Sequence, residues 1–335
     1  MKRIISLLLA LALTLSLTAC TAPAEKADGG KLQIVTTLFP YYDFARAIAQ
    51  DRADVMLLLS PGREAHSFEP TPLDAVTISE SDVFLYNGGE GEYWVESMLD
   101  AAGEHITVAS RMMDYVDALD EEYVEGMQGA DGHDHDHEHG SHDDHDHDHE
   151  EDEHDSDEVE YDEHIWTSPK NAVVLCRAVC DAICRADAEN AAFYRANCEN
   201  YCAQLEDLDA RFAALCESAP RRLLIFADRF PMLYFCREFG LDYRAAFHGC
   251  SSDTEPSLAT IKFLIDKVED ENIPVVYTID FGTKKVAAVV SECTGAAIET
   301  LFSMQTVSRA DFDAGETYLT LMERNFEALR KGLNA

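Results

Sequence analysis

The sequence predicts an α/β protein of two β/α lobes with parallel sheets, joined by one long connecting helix. Short β-branched segments alternate with amphipathic segments in residues 31–108 and again in 222–333, and an unbroken helical pattern covers 188–218. Such alternation is typical of parallel sheets that are covered by helices. With 335 residues, 47% of them hydrophobic, the chain is long and apolar enough for two domains.

In the first lobe, the apolar and β-branched pattern predicts four strands and three helices. The predicted strands are 31–37, 55–59, 82–86 and 106–108, and the predicted helices are 39–49, 72–79 and 93–101. Residues 55–59 are apolar throughout, which predicts a strand that is buried on both faces.

The linker and the second lobe follow a similar pattern. Residues 169–185 and 188–218 are predicted helices, and the second has apolar residues at steps of three and four over about 45 Å. The predicted strands of the second lobe are 222–227, 243–247, 275–279 and 297–301, and its predicted helices are 231–239, 256–270, 284–294 and 315–333. Two similar lobes joined by one helix imply a cleft between them.

The first 30 residues are predicted to be a targeting segment and a tether. Two basic residues precede an apolar run at 4–17, and the following LTAC resembles a bacterial lipobox. We therefore expect a signal peptide at 1–19, a lipid on Cys20 and a tether at 20–30. An ordinary signal peptide with an incidental cysteine is the less favoured alternative. The mature protein is expected to be extracytoplasmic and lipid-anchored to the bacterial cell membrane.

An acidic tract at 131–160 contains nine histidines and no Lys or Arg. They are His133, His135, His137, His139, His142, His145, His147, His149 and His154. Imidazole and carboxylate groups are ligands for divalent transition metals, zinc above all. A solvated acidic linker would explain the acids but not the histidines, so we predict a disordered loop that captures metal. The net charge of −38 makes nucleic acid an unsuitable partner.

Nine cysteines follow Cys20 in the mature chain. Cys176, Cys180 and Cys184 share one face of a predicted helix, and Cys198 and Cys202 share one face of the next. They can pair across the helices, bind a soft metal, or be small buried residues. The absence of any C-x-x-C spacing favours buried thiols.

Five candidate ligands are predicted near the carboxyl ends of strands, where open parallel sheets bind ligands. They are His66, His164, Asp228, His248 and Asp280. A lone loop histidine is usually a surface residue, and an aspartate after a strand often caps a helix. Their common placement on one rim instead favours a site for zinc or manganese.

Five stretches match, in order, a known family over nearly the whole mature chain. They are 36–44 (TTLFPYYDF), 61–72 with His66, 163–166 (EHIW), 254–257 (TEPS) and 314–322. They resemble the solute-binding proteins of zinc and manganese ABC importers, the ZnuA and adhesin-lipoprotein family. The resemblance implies a rigid connecting helix and one metal ion in the interlobe cleft.

The resemblance also implies the ligands. His66 and His164 match two family ligands, and Asp280 falls at the family's acidic ligand. At a position where zinc members usually have His and manganese members Glu, this chain has Ala227, which cannot coordinate a metal. We hypothesise that Asp228, His248 or a water molecule takes that role.

These observations predict a lipid-anchored monomer that captures Zn²⁺ and delivers it to the permease and ATPase subunits of an ABC importer. The predicted domains are a first lobe at 31–167, a helical linker at 168–218 and a second lobe at 219–335. The alternatives are a Mn²⁺ receptor of the same family, and an extracytoplasmic metal buffer or adhesin without a transport role. A metallo-hydrolase is disfavoured, because Glu69 and Glu255 are the only obvious candidates for a general base. Capture is expected to weaken in acid, because protons compete for imidazole.

Overall fold

A computed structural model describes residues 30–63, 65, 68–103, 106–128, 160–249 and 255–334. Cys20, His66, Cys250 and the histidine-rich tract 131–160, except Glu160, lie outside these residues, so the predictions made for them stay predictions. Within the described part of the chain, no helix combines the length and the apolar composition that crossing a membrane requires.

The first sheet consists of four parallel strands in the order β2-β1-β3-β4. They are β1 (Leu32–Thr36), β2 (Ala53–Leu57), β3 (Val83–Tyr86) and β4 (Val108–Arg111). The helices of this half are α1 (Phe39–Ala49), α2 (Pro72–Ser79) and α3 (Trp94–Ala102). The β-α-β connections keep all carboxyl ends of the strands on one edge of the sheet.

Two helices connect the halves: α4 (Pro169–Ala186) and α5 (Ala191–Ser218). The 28 residues of α5 span about 42 Å. Near its start, Tyr201 Oη donates a hydrogen bond of 2.6 Å to Asp43 of the first half. Near its end, Phe212 packs edge to face on Phe235 of the second half, with ring centroids 4.9 Å apart. The long helix therefore contacts both halves.

The second sheet repeats the topology of the first, with four parallel strands in the order β6-β5-β7-β8. They are β5 (Leu223–Phe226), β6 (Asp242–Ala245), β7 (Val275–Ile279) and β8 (Ala297–Leu301). The helices are α6 (Leu233–Phe239), α7 (Leu258–Asp270), α8 (Lys285–Thr294), α9 (Arg309–Ala314) and α10 (Tyr318–Leu333). The predicted fold of two parallel-sheet lobes with a long connecting helix is confirmed, while the exact domain boundaries stay predictions.

Several details of the predicted elements were wrong. The fourth strand lies at Val108–Arg111 rather than at 106–108, and helix α9 was not predicted. The strand predicted at 55–59 lies at Ala53–Leu57 and is not buried on both faces: it is the sheet edge, and Met56 is 52% exposed. Helix α7 begins after Pro256, because Ser257 caps it by accepting a hydrogen bond from the Thr260 N–H at 3.1 Å. The last predicted helix begins at Tyr318 rather than at Gly315, whose φ of +78° ends α9 instead.

The largest of three hydrophobic clusters among the described residues extends across both halves and includes Ile165 and Trp166, which follow His164. Within it, the indole N–H of Trp166 donates to the Ser303 carbonyl at 2.7 Å, and Tyr318 Oη donates to the Trp166 carbonyl at 2.7 Å. The Tyr318 N–H in turn donates to Asp43 Oδ2 at 3.0 Å. These buried bonds fix the His164 segment between the two sheets.

Candidate metal centre

His164 lies directly before a short 3₁₀ turn at Ile165–Thr167 and is 1% exposed. Its Nδ1 is 3.2 Å from Asp162 Oδ1, which also accepts a 2.8 Å hydrogen bond from the His164 N–H. A histidine whose Nδ1–H donates to a carboxylate is oriented to coordinate a metal through Nε2. Burial opposes protonation of His164, but the charges of Asp162, Glu163 and Glu121 outweigh it and raise the pKa of His164.

Asp280 directly follows β7, at the edge of the second sheet where its parallel strands end. Its N–H donates to the Leu301 carbonyl at 3.0 Å, and its Oδ1 accepts a 2.7 Å hydrogen bond from the Ser303 N–H. Both partners lie at the end of β8, so the carboxylate position is set by the pairing of β7 with β8.

His164 and Asp280 line the same cavity, named here the His164 cavity. It encloses about 320 Å³, including its opening to solvent. Gly249 is part of the wall: a Cβ there would lie 3.2 Å from His164 Cε1 and 2.9 Å from the Phe230 carbonyl oxygen. Only a residue without a side chain allows this close approach. The structure thus brings together two of the predicted ligands from distant parts of the sequence.

A second cavity, named here the Glu163 cavity, lies beside the first, because Gln305 lines both. Its wall includes Ala65 and Phe68, the described residues on either side of His66 in the chain. Glu163 Oε1 accepts a 2.7 Å hydrogen bond from the Gly91 N–H, and burial raises the pKa of Glu163. The described neighbours of His66 are therefore next to the segment that contains His164.

Asp228 holds strand ends together. Its Oδ1 accepts a 2.9 Å hydrogen bond from the Arg229 N–H, and its Oδ2 accepts one of 3.3 Å from the Ile279 N–H. A Cβ at Gly282 would lie 1.9 Å from Asp228 Oδ2, so the loop after β7 passes directly over the carboxylate. Both carboxylate oxygens thus bond to backbone where β5 and β7 end.

His248 is engaged by the first half of the molecule. Its Nδ1 is 2.9 Å from Glu121 Oε2, and its ring lies 4.9 Å from the Tyr123 ring. The side chain of Glu121 is 4% exposed and that of His248 is 19% exposed. The histidine is therefore paired with a buried carboxylate.

The described residues just before and just after the histidine-rich tract are anchored close to His248 and Glu121. Before the tract, the Gln128 N–H donates to the Ala246 carbonyl at 2.9 Å, two residues from His248. After it, the Glu160 carbonyl accepts a 2.8 Å hydrogen bond from the Glu121 N–H. Burial and the charges of Glu90 and Glu121 raise the pKa of Glu160. The tract therefore connects to the body of the protein at an acidic position near His164.

One feature of the site was missed by the sequence predictions, and one feature outside the site was left open by them. The first is Asp162 as the carboxylate partner of His164, for which the only signal was its position two residues earlier. The second is a group of thiols: in the described ranges, Cys176, Cys198 and Cys202 are the only group of three metal-ligand atoms within 4.8 Å of one another. His164 and Asp280 belong to no such group among the described residues, and His66 lies outside them, so the ligand set stays a prediction.

The sequence model of the ZnuA family, described as zinc-uptake complex component A, periplasmic, matches residues 34–332. The chain belongs to the ZnuA family. The family predicted from the five sequence stretches is therefore confirmed, as is its role as the binding component of a zinc-uptake system.

Among ZnuA-family relatives, the high-affinity zinc uptake system protein ZnuA of Bacillus subtilis is 30% identical over 316 residues, which are 93% of this chain and 91% of that protein. The zinc-binding lipoprotein AdcA of Streptococcus pneumoniae R6 is 30% identical over 334 residues, 99% of this chain. Those residues are 61% of AdcA, so this chain corresponds to only part of that relative.

Among solved structures, the Zn(II)-bound ZnuA-like domain of Streptococcus pneumoniae AdcA is similar to this chain with a TM-score of 0.71 and 25% identity. The similarity covers 91% of this chain and all of that domain. The two-lobe α/β fold is therefore that of a ZnuA-like domain.

Proposed function

We propose that this chain captures Zn²⁺ in the crevice between its two halves and delivers it to the permease of an ABC importer. The observation that carries the proposal is that His164 and Asp280 line one cavity at the carboxyl ends of the second sheet. One nitrogen and one oxygen ligand, each fixed by a second group, suit a borderline cation such as zinc. The zinc named in the descriptions of the relatives supports the same ion.

We propose His66, His164 and Asp280 as the protein ligands of the ion. The placement of Ala65 and Phe68 in the adjoining Glu163 cavity supports His66. We do not propose Asp228 and His248 as ligands, because neither is among the described residues that line the His164 cavity. Three protein ligands leave a fourth coordination position. We propose that water fills it, because this chain has Ala227 where the family has a ligand.

The histidine-rich tract has the composition of an ion-gathering segment. Weak binding by its nine histidines would raise the local concentration of zinc beside the cavity. The anchoring of Gln128 and Glu160 near the residues that surround His164 supports this role. We expect the tract to add weak sites without forming the tight one.

Delivery places the chain outside the cytoplasmic membrane, in agreement with the periplasmic family description. The lipobox-like sequence supports a lipid on Cys20, which would hold the chain near a permease and its ATPase. We also propose that the chain acts as a monomer. A catalytic role is not proposed. Asp280 is the one carboxylate among the described residues that line the His164 cavity, and Glu255 is 80% exposed beside Lys285.

Metal analysis of the mature chain, with and without residues 131–160, tests this function. We expect one tightly bound Zn²⁺ in both forms, and weak additional ions only in the full chain. Loss of all zinc with the tract would identify a metal buffer. Because Zn²⁺ outcompetes Mn²⁺ at nitrogen and oxygen sites, a manganese receptor would be identified by Mn²⁺ as the metal bound in the protein isolated from its own cells. Single Asp228→Ala and His248→Ala variants are expected to keep the tight affinity within about threefold; a loss beyond tenfold in either would identify it as the missing ligand.

A further inference from the structure

Five cysteines face one another where α4 and α5 pack together. Cys176, Cys180 and Cys184 are spaced one turn apart on α4, and Cys198 and Cys202 are spaced one turn apart on α5. The two helices run in opposite directions, because they are joined by only the turn at Ala188–Asn190. The spacing of the cysteines therefore places two rows of thiols along one helix interface.

Three of these sulfurs converge. The Sγ atoms of Cys176, Cys198 and Cys202 all lie within 4.8 Å of one another, and the three residues are 0%, 2% and 1% exposed. We name them the thiol cluster. The Sγ atoms of Cys198 and Cys202 are 3.9 Å apart, and three sulfurs around one metal at about 2.3 Å would be about 4.0 Å apart. The cluster already has nearly the spacing that trigonal coordination requires.

We propose that the thiol cluster is a second metal site, for a soft monovalent cation of the Cu⁺ class. Its donors are all sulfur, and such donors select soft ions over the borderline zinc of the His164 cavity. A closed zinc site takes four ligands, whereas the cluster supplies three.

The charge of the cluster also suits a monovalent ion. One thiolate and one Cu⁺ form a neutral pair, which an apolar helix interface accommodates better than a net charge. On binding, one thiol of the cluster releases its proton to solvent and supplies the thiolate, while the other two sulfurs remain soft donors.

The test is an anaerobic titration of the reduced mature chain, lacking 131–160, with Cu⁺ in competition with a chromogenic Cu⁺ chelator. We expect one Cu⁺ per chain, with thiolate-to-copper charge-transfer absorption and a copper environment of about three sulfurs by X-ray absorption. Cys198→Ser and Cys202→Ser should each lower Cu⁺ affinity at least tenfold. Cys216→Ser, a buried thiol on the same helix outside the cluster, is the matched control and should not.

Circular dichroism and retention of zinc at the His164 cavity report whether each variant folds. If both cluster variants unfold, X-ray absorption of copper bound to the unaltered chain tests the proposal, and coordination by about three sulfurs supports it. Copper bound through nitrogen or oxygen, affinity equal in the folded Cys198→Ser chain, or a disulfide linking Cys176 to Cys198 or Cys202 in the protein as isolated would each overturn the proposal. His164→Ala should leave Cu⁺ binding unchanged, so the outcome is separate from that of the zinc receptor.

Discussion

The His164 cavity and the thiol cluster are two ligand sets that are built in different ways. The cavity combines His164 with Asp280, which are far apart in sequence and are each held by a further group, Asp162 or Ser303. The thiol cluster takes its donors from two consecutive helices, and the regular turn of each helix sets the spacing. The cavity opens to solvent, whereas the thiols are buried in the core.

If both proposed sites bind metal, this difference would keep two ions apart in one chain. Nitrogen and oxygen donors, held by a carboxylate and a backbone N–H, favour a borderline divalent ion at the cavity, and sulfur donors favour a soft ion at the cluster. The cavity depends on the contact of both halves, whereas the cluster needs only the pair of helices. Changes at one set should therefore leave the other intact.

The largest effect is expected from His164→Ala. It removes a proposed ligand of the ion, so the affinity for Zn²⁺ should fall more than about 100-fold, which exceeds the loss expected when a residue that only orients a ligand is changed. Competition titration against a zinc chelator measures the change, with His248→Ala as a second imidazole removed outside the proposed ligand set. Equal losses in the two variants would remove the distinction drawn here between the histidines.

A smaller effect is expected from Asp162→Asn, which keeps the shape of the side chain but removes its charge. The amide holds the His164 ring less firmly and makes its Nε2 less basic, so Zn²⁺ affinity should fall about 10- to 100-fold. The same competition titration applies, and Asp114→Asn, an exposed aspartate on the first half, is the control. Unaltered affinity would mean that Asp162 serves only the backbone of this segment.

A third effect concerns the acidic surroundings of the cavity. Burial raises the pKa of Glu92, in the wall of the Glu163 cavity, to about 7. A raised carboxyl pKa means that the stability it provides is complete at low pH and is lost as pH rises from the unfolded value of about 4.3 through about 7.

Glu92→Gln keeps an acceptor for the Gly88 N–H, which bonds Glu92 Oε2 at 2.8 Å, but cannot ionise. We expect it to raise the free energy of unfolding of the metal-free chain by about 1–3 kcal/mol at pH 8.5 relative to the unaltered chain. At pH 4 the two chains should differ little. Urea unfolding at both pH values measures this, and a gain of equal size at pH 4 would show that ionisation is not the cause.

Local sequence patterns were sufficient for most of the fold. Helix α1 and strands β7 and β8 lie at their predicted residues, because apolar periodicity and turn residues define them locally. The burial of β2 was predicted wrongly, since an apolar run does not reveal whether both faces of the strand are covered. Asp54 and Met56, which alternate with more buried residues, lie on an exposed face of this edge strand.

The site could be predicted only in part. His164 and Asp280 were recognisable from the family stretches and from their positions relative to the elements, and the structure places both in one cavity. The bonds of Asp228 to Arg229 and Ile279 depend on how two strands align, which no local pattern encodes. The thiol cluster was similarly hidden: the sequence shows the face that each cysteine shares, but not which face of the neighbouring helix opposes it.

The bonds that link Asp43, Tyr318, Trp166 and Ser303 have a consequence for how the receptor would unload. Moving the halves widely apart would break this whole chain of buried contacts at once, so a broad opening is energetically unfavourable. An ion held in such a frame leaves by exchanging its ligands stepwise. Spontaneous dissociation would then be slow, and rapid unloading would require the importer to offer competing ligands at the mouth of the crevice.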